Sequence, residues 1–223
     1  MSKRSAGRPA AGEEPSVEMR LRKMIAEQEL LPGEAVREEH IAKLLSVSRH
    51  RIREALAALE ERRLIIRTPN RGAVVAQLSF EEILELFEIR ISLESLCVRL
   101  AVQNTRPQDW QDLRELFGEP SERLVEAHDL DGYFRNIELF RERFVQASGS
   151  KTLQHLLEII ADRDRALLRR TIILPERAEQ GLKMQRAILD AMCAGDAEKA
   201  EQLKRESIIR ARDAVIRYRS FVT

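Results

Sequence analysis

The sequence predicts a mainly α chain in two parts. The first is a small N-terminal domain of three helices and one β-hairpin; the second is a C-terminal all-α antiparallel helical bundle. Three observations carry this. Of the 223 residues, 43% are hydrophobic but only 4% aromatic, a profile suited to Leu/Ala-rich helix packing. Runs with strand character occur only between residues 64 and 76. Ser79-Phe80-Glu81-Glu82 has Ser followed three residues on by Glu, a capping box that opens a second domain. No period-two pattern returns after residue 78, so the rest reads as helix.

Residues 1–15, MSKRSAGRPAAGEEP, are polar and rich in Gly, Pro and Ala, and read as a flexible tail. From Val17 to about Glu29, Met19, Leu21, Ile25 and Leu30 mark a first amphipathic helix, which Leu31-Pro32-Gly33-Glu34 breaks. A second helix runs from about Glu38 to Leu45, with Ile41, Leu44 and Leu45 turned inward. Val47 and Ser48 close a short turn, and Ser48 caps a third helix that reaches about Arg62 by accepting a backbone N–H. Leu64–Arg67 and Ala73–Ala76 then flank Pro69-Asn70-Arg71-Gly72, two β-rich runs around a turn, which is the signature of a hairpin. Three helices and a hairpin with Arg71 at its tip make a winged helix-turn-helix over residues 16–78.

Residues 79–223 read as six or seven helices with short links, hence an antiparallel bundle. Ile83, Leu86, Phe87, Ile91, Leu93, Leu96 and Leu100 line the first. A further helix starts at Thr105-Arg106-Pro107 and is broken near Gly118-Glu119-Pro120; others start at about Asp129, at Lys151, at Pro175 and after Asp196.

The third helix of the first domain carries the chemistry. Arg49, His50, Arg51 and Arg53 project from its first turns, while Ile52, Leu56 and Leu59 lie at i, i+4 and i+7 and face a core. Guanidinium groups at the N-terminal end of such a helix suit the DNA major groove, where arginine bridges guanine O6 and N7 or grips phosphates. The overall charge of +1 hides an asymmetry: cations outnumber acids up to residue 78, and acids outnumber cations beyond it. That fits one domain that binds a polyanion and another that does not. Cys97 and Cys193 sit inside apolar helical patterns and read as reduced buried thiols. The absence of an apolar leader, and of any run near the roughly 20 residues of a membrane span, predicts a cytoplasmic protein. No Gly-rich phosphate loop, His/Cys/Asp cluster at ligand spacing or nucleophile elbow is present, so the chain is not read as an enzyme.

These features resemble the GntR family of bacterial transcription regulators, in the subclass with an all-helical FCD effector domain. The matching residues are Pro32-Gly33-Glu34, Val36, Glu38, Ile41-Ala42, Val47-Ser48-Arg49, Arg53-Glu54-Ala55-Leu56, Leu59-Glu60 and Arg71-Gly72 with Val75. In the second part they are Arg90, Leu93-Glu94, Leu100-Ala101, Ala147-Ser148-Gly149 and Arg186-Ala187-Ile188 to Gly195-Asp196. The resemblance implies a homodimer that reads a short inverted repeat of double-stranded DNA and acts as a repressor. Ser48, Arg49, His50, Arg51 and Arg53 would contact DNA, joined by Arg71 and Gly72 of the wing. His50-Arg51 departs from the small polar residue and proline common in the family, so the operator of a relative does not carry over.

Many FCD domains hold a divalent metal on one Asp and three His. Aligned on Ala147-Ser148-Gly149 and Arg186-Ala187-Ile188, those positions fall here on Ile137, Arg141, Gln185 and Ser207, so no metal cofactor is expected. His40 and His50 lie in the first domain, and His128 and His155 miss the pattern. Two readings of the cavity stay open. In one, Arg141 binds a small carboxylate effector bidentately, with Arg90, Gln185 and Ser207 completing the site. In the other, Arg141 pairs internally with an acid such as Glu94, and the protein binds DNA architecturally, without a ligand.

Overall fold

The computed structural model describes residues 15–68 and 72–222, in two compact units that meet at residues 76 and 77. Most of the expected tail, residues 1–14, lies outside the described residues, as does Arg71.

In the first unit, α1 spans Val17–Ala26, α2 Glu38–Leu45 and α3 Arg49–Glu61. Leu21, Ile25, Ile41, Ile52, Leu56 and Leu59 are buried in one core with Ile65 and Val75 of the hairpin. β1 (Ile65–Thr68) pairs antiparallel with β2 (Gly72–Val75), Ile65 opposite Val75. Two side chains expected inward face out: Met19 and Leu44 are each 56% exposed. Met19 lies two residues from both Val17 and Leu21, so it points away from the stripe they define. In the eight-residue α2, Ile41, Ala42 and Leu45 already fill the buried side. α1 also ends before Glu29, because Gln28 adopts a left-handed φ of 60° while the following N–H groups fold back onto the carbonyl of Met24.

The segment read only as a helix breaker has a second role. Gly33 N–H donates to Val75 O at 2.9 Å, Val36 N–H to Ala73 O at 2.8 Å, and Val75 N–H to Glu34 O at 2.9 Å. Ala35 thereby bridges Val74, and the wing is tied along one edge to the loop between α1 and α2. These bonds occupy backbone groups that an edge strand would otherwise leave unpaired.

The second unit opens on α4 (Phe80–Asn104). Its capping box is complete: Glu82 N–H donates to Ser79 Oγ at 3.1 Å, and Ser79 N–H donates to the Glu82 carboxylate at 2.8 Å. A 3-10 turn at Pro107–Trp110 leads into α5 (Gln111–Leu116), α6 (Glu119–Glu126), α7 (Leu130–Ala147) and α8 (Lys151–Ile172). α9 (Arg177–Cys193), α10 (Ala197–Arg217) and the short α11 (Arg219–Val222) follow. Pro175 stays outside α9; the turn before it is closed by Glu176 at φ 58°.

α4 packs along α10, α7 and α8, and α9 folds back along α10 across a three-residue link. Half of the ten aromatic residues gather at one place. Phe117, Phe140 and Phe144 stack edge to face, with centroids 5.8 and 5.3 Å apart, beside buried Trp110 and Tyr133.

Candidate functional site

The left-handed backbone of Ser46, φ 55°, ends α2 and turns the chain into α3. Ser48 then caps α3, its hydroxyl accepting from Arg51 N–H at 3.4 Å. With Ile52, Ala55, Leu56 and Leu59 buried, the opposite face is committed to solvent. Arg49, His50, Arg51 and Arg53 are all exposed there.

Their electrostatics differ. The Arg53 Nε–H donates to the Glu38 carboxylate at 2.8 Å, and Arg49 lies 4.0 Å from the same oxygen. His50 Nε2 sits 3.3 Å from Glu54. Arg51 forms no ion pair among the described residues. Glu38 is therefore a residue that the basic-helix reading overlooked: from the start of α2 it holds two of the arginines upright in the unbound protein. On the wing, Gly72 has φ +73° with open space where a Cβ would be. Arg67 anchors β1 to α3 through Glu60 at 2.9 Å.

In the helical unit, α4, α7, α8, α9 and α10 enclose a cavity of about 40 Å³. Ile137, Arg141, Gln185 and Ser207, the four positions picked from the metal pattern, all line it, and Arg90 joins them. Arg141 is already engaged: it lies 3.0 Å from Asp164 and 3.6 Å from Glu94. Arg90 reaches the same two acids, Asp164 at 2.7 Å and Glu94 at 2.9 Å, and Lys204 Nζ approaches Glu94 at 2.8 Å. Three cations thus share two carboxylates inside the bundle.

Such burial is costly unless charges are paired, and the pKa directions reflect this. Burial raises the affinity of Glu94 for a proton, but Lys204, Arg90 and Arg141 outweigh it and hold its carboxyl well below the usual range. For Arg90 and Arg141, burial acts to release the proton, while Asp164 and Glu94 prevail and hold it more firmly. Burial prevails at Lys204, whose pKa falls despite Glu94. Lys204 also rests over the Phe144 ring, 4.7 Å from its centroid.

Asp164, Lys204, Tyr133 and Arg177 line the cavity too, and sequence reading did not find them. Arg177 has no acid partner among the described residues, and burial lowers its pKa. Tyr133 is fully buried, and its hydroxyl has no hydrogen-bond partner; the same is true of Gln185 Oε1 and Arg177 Nε. The donor set does not suit a divalent metal. An alkyl group, a guanidinium, an amide and a hydroxyl stand where the family's ligands stand, and a guanidinium cannot coordinate. Among the described residues, no three His, Cys, Asp or Glu are placed to hold one.

A capped cationic helix with a β wing, followed by a helical bundle around a charged cavity, defines a two-part DNA-binding regulator. The chain belongs to the GntR family of bacterial regulatory proteins, whose model matches residues 15–75, and carries an FCD domain over residues 85–210. The HTH-type transcriptional regulator YdhC of Bacillus subtilis (strain 168) is 30% identical over 186 residues, 82% of this chain and 81% of that protein. The HTH-type transcriptional repressor GlaR of Escherichia coli (strain K12) is 28% identical over 171 residues, 71% and 75% of the two chains. Among solved structures, McbR/YncC of Escherichia coli matches with a TM-score of 0.75 at 25% identity, covering 92% of this chain and 96% of that one. A GntR transcriptional regulator from Rhodococcus sp. RHA1 shares the fold with a TM-score of 0.75 at 23% identity, over 91% and 96%. These families and relatives are transcription regulators, not enzymes. No helix among the described residues is long and apolar enough to cross a membrane.

Proposed function

We propose that this transcription regulator works in the cytoplasm as a homodimeric repressor that reads a short inverted repeat and answers to a small carboxylate effector. Residues 16–78 read DNA, and residues 79–223 dimerise and hold the effector without a metal. Ser48, Arg49, His50, Arg51 and Arg53 face base edges and phosphates, with Arg71 and Gly72 contributing from the wing. Arg90, Arg141, Gln185 and Ser207 belong to the effector cavity.

The observation that carries the reading is the charge of that cavity. Among the described residues that line it, Arg90, Arg141, Arg177 and Lys204 stand against the two acids Glu94 and Asp164, with Glu138 acting on Arg90 and Arg141 from outside the lining. An enclosed surplus of positive charge favours an anion, and the anion in turn favours whichever conformation holds it best. DNA and effector affinities are then coupled equally in both directions. Architectural DNA binding without a ligand draws support from one fact: Arg90 and Arg141 already have acidic partners. Selection of bound fragments from genomic DNA yields the operator; titrating small acids into the protein–operator complex then separates the two. Release or tightening by an acid supports the effector reading. Operator affinity that no acid alters leaves the architectural one, and a selected site without two-fold symmetry removes the dimeric readout.

A further inference from the structure

α2 begins with two acids, Glu38 and Glu39, and they take different partners. Glu39 stays on its own helix, 3.1 Å from Lys43 one turn on, and both side chains are largely exposed. Glu38 instead reaches across to α3. Its side chain is only 24% exposed, and its Oε2 accepts from Arg53 Nε–H at 2.8 Å while lying 4.0 Å from Arg49.

This contact divides the arginines of α3 into two kinds. Arg49 and Arg53 stand at i and i+4 on the flank that Glu38 meets, whereas Arg51, two residues from each, lies on the opposite flank. Arg51 has no ion pair among the described residues. A guanidinium can offer a guanine its side, through Nε and one Nη, or its end, through both Nη groups. With Nε of Arg53 given to Glu38, the end is what remains, and among the described residues nothing else holds those Nη groups. A carboxylate beside two arginines also cancels part of their charge. Phosphates attract cations whatever the sequence, so they draw on Arg51 more strongly than on Arg53.

We propose that Glu38 is a positioning residue that determines the specificity of DNA reading. Holding Nε, it limits Arg53 to end-on recognition of guanine O6 and N7 and keeps it from swinging to a phosphate. Its own negative charge, set beside the duplex, disfavours every complex in which that arginine finds no guanine. Arg51 supplies the sequence-independent grip. The assignment rests on the base-reading role given to Arg53 above and adds the residue that enforces it.

Fluorescence anisotropy with the full chain tests this, using the tightest duplex selected from genomic DNA and a scrambled duplex of the same composition. Ion pairs this open to water add little to stability, so Glu38→Gln is expected to melt within about 5 °C of wild type. It should bind the scrambled duplex about 3- to 10-fold more tightly, with a salt slope steeper by about one. Its preference for the selected duplex should fall about 10- to 100-fold. That fall belongs at the base pair that Arg53→Ala also affects, and in the Arg53→Ala background Glu38→Gln should change discrimination there no further. A tie that served only the fold would instead weaken both duplexes alike. Equal changes on both duplexes, or discrimination that Glu38→Gln leaves intact, would overturn the assignment while the base-reading role of Arg53 survives. If Arg53→Ala itself weakens both duplexes equally, the base-reading role falls and this assignment with it. Arg51→Ala should weaken both by one factor and flatten the slope by about one; a loss confined to one base pair would overturn the division between the two flanks.

Discussion

Glu94→Gln is the sharpest perturbation of the buried charge cluster. The side chain keeps its shape, but the carboxylate that Arg90, Lys204 and Arg141 approach at 2.9, 2.8 and 3.6 Å becomes neutral. At those separations each pair is worth about 5–6 kcal/mol of Coulomb attraction at an effective dielectric of 20. Much of this is offset by the cost of desolvating the ions, and Asp164 remains to hold Arg90 and Arg141. Lys204 is left with no carboxylate among the described residues. Breaking a buried pair by removing one partner costs about 3–5 kcal/mol, and we expect a loss in that range.

Urea unfolding followed by tryptophan fluorescence measures it cleanly, because the single tryptophan, Trp110, is buried in the helical unit. The sign of the pH dependence follows from the depressed pKa of Glu94, whose ordinary value is 4.5. Its contribution is complete above about pH 4.5 and is lost as pH falls below that toward the folded-state value. The stability gap between wild type and Glu94→Gln should therefore be widest near neutrality and close in acid. A loss below about 1 kcal/mol, or a gap that grows on acidification, would refute the argument. Adding Lys204→Met to Glu94→Gln should recover part of the loss, since one orphaned cation is removed.

Three further outcomes are expected. Arg49→Ala and Arg53→Ala should each cost about 1–3 kcal/mol at particular base pairs, read by anisotropy with point-substituted operators; an equal loss on every sequence with a flatter salt slope would make them phosphate contacts instead. Ser48→Ala should destabilise the winged domain by about 1 kcal/mol through the lost cap, with Ser48→Asn close to wild type, as calorimetric scans of that domain would report. Thiol labelling at pH 8 should modify Cys193 first. Cys97 is fully buried, and burial pushes its thiol up to about 11, so it should react only as fast as the domain opens.

How much of this was legible in the residues follows from the range of the interactions involved. The winged domain is written in local signals. Ser16, Ser48 and Ser79 each cap the helix that follows by accepting a backbone N–H three residues downstream, the Ile52–Leu56–Leu59 stripe repeats within one helix, and the hairpin closes over a few residues. Each depends only on near neighbours in the chain. The pairing of residues 33–36 with β2 does not, since its partners lie some 40 residues away, and backbone hydrogen bonds leave no mark on side-chain pattern.

The cavity lies further still from sequence reading. One clue was present: Asp164 interrupts the apolar series Leu157, Ile160, Leu167 at helical spacing, as Lys204 interrupts Ala200, Ile208, Ala211. A charge on a buried stripe implies a partner somewhere, but not which one. The partners of Lys204 and Asp164 sit on α4 and α7, far away in the chain, and only the packing of five helices brings them within hydrogen-bond distance. Local propensity is a property of neighbouring residues, whereas the balance of charge in an enclosed space depends on every helix that walls it.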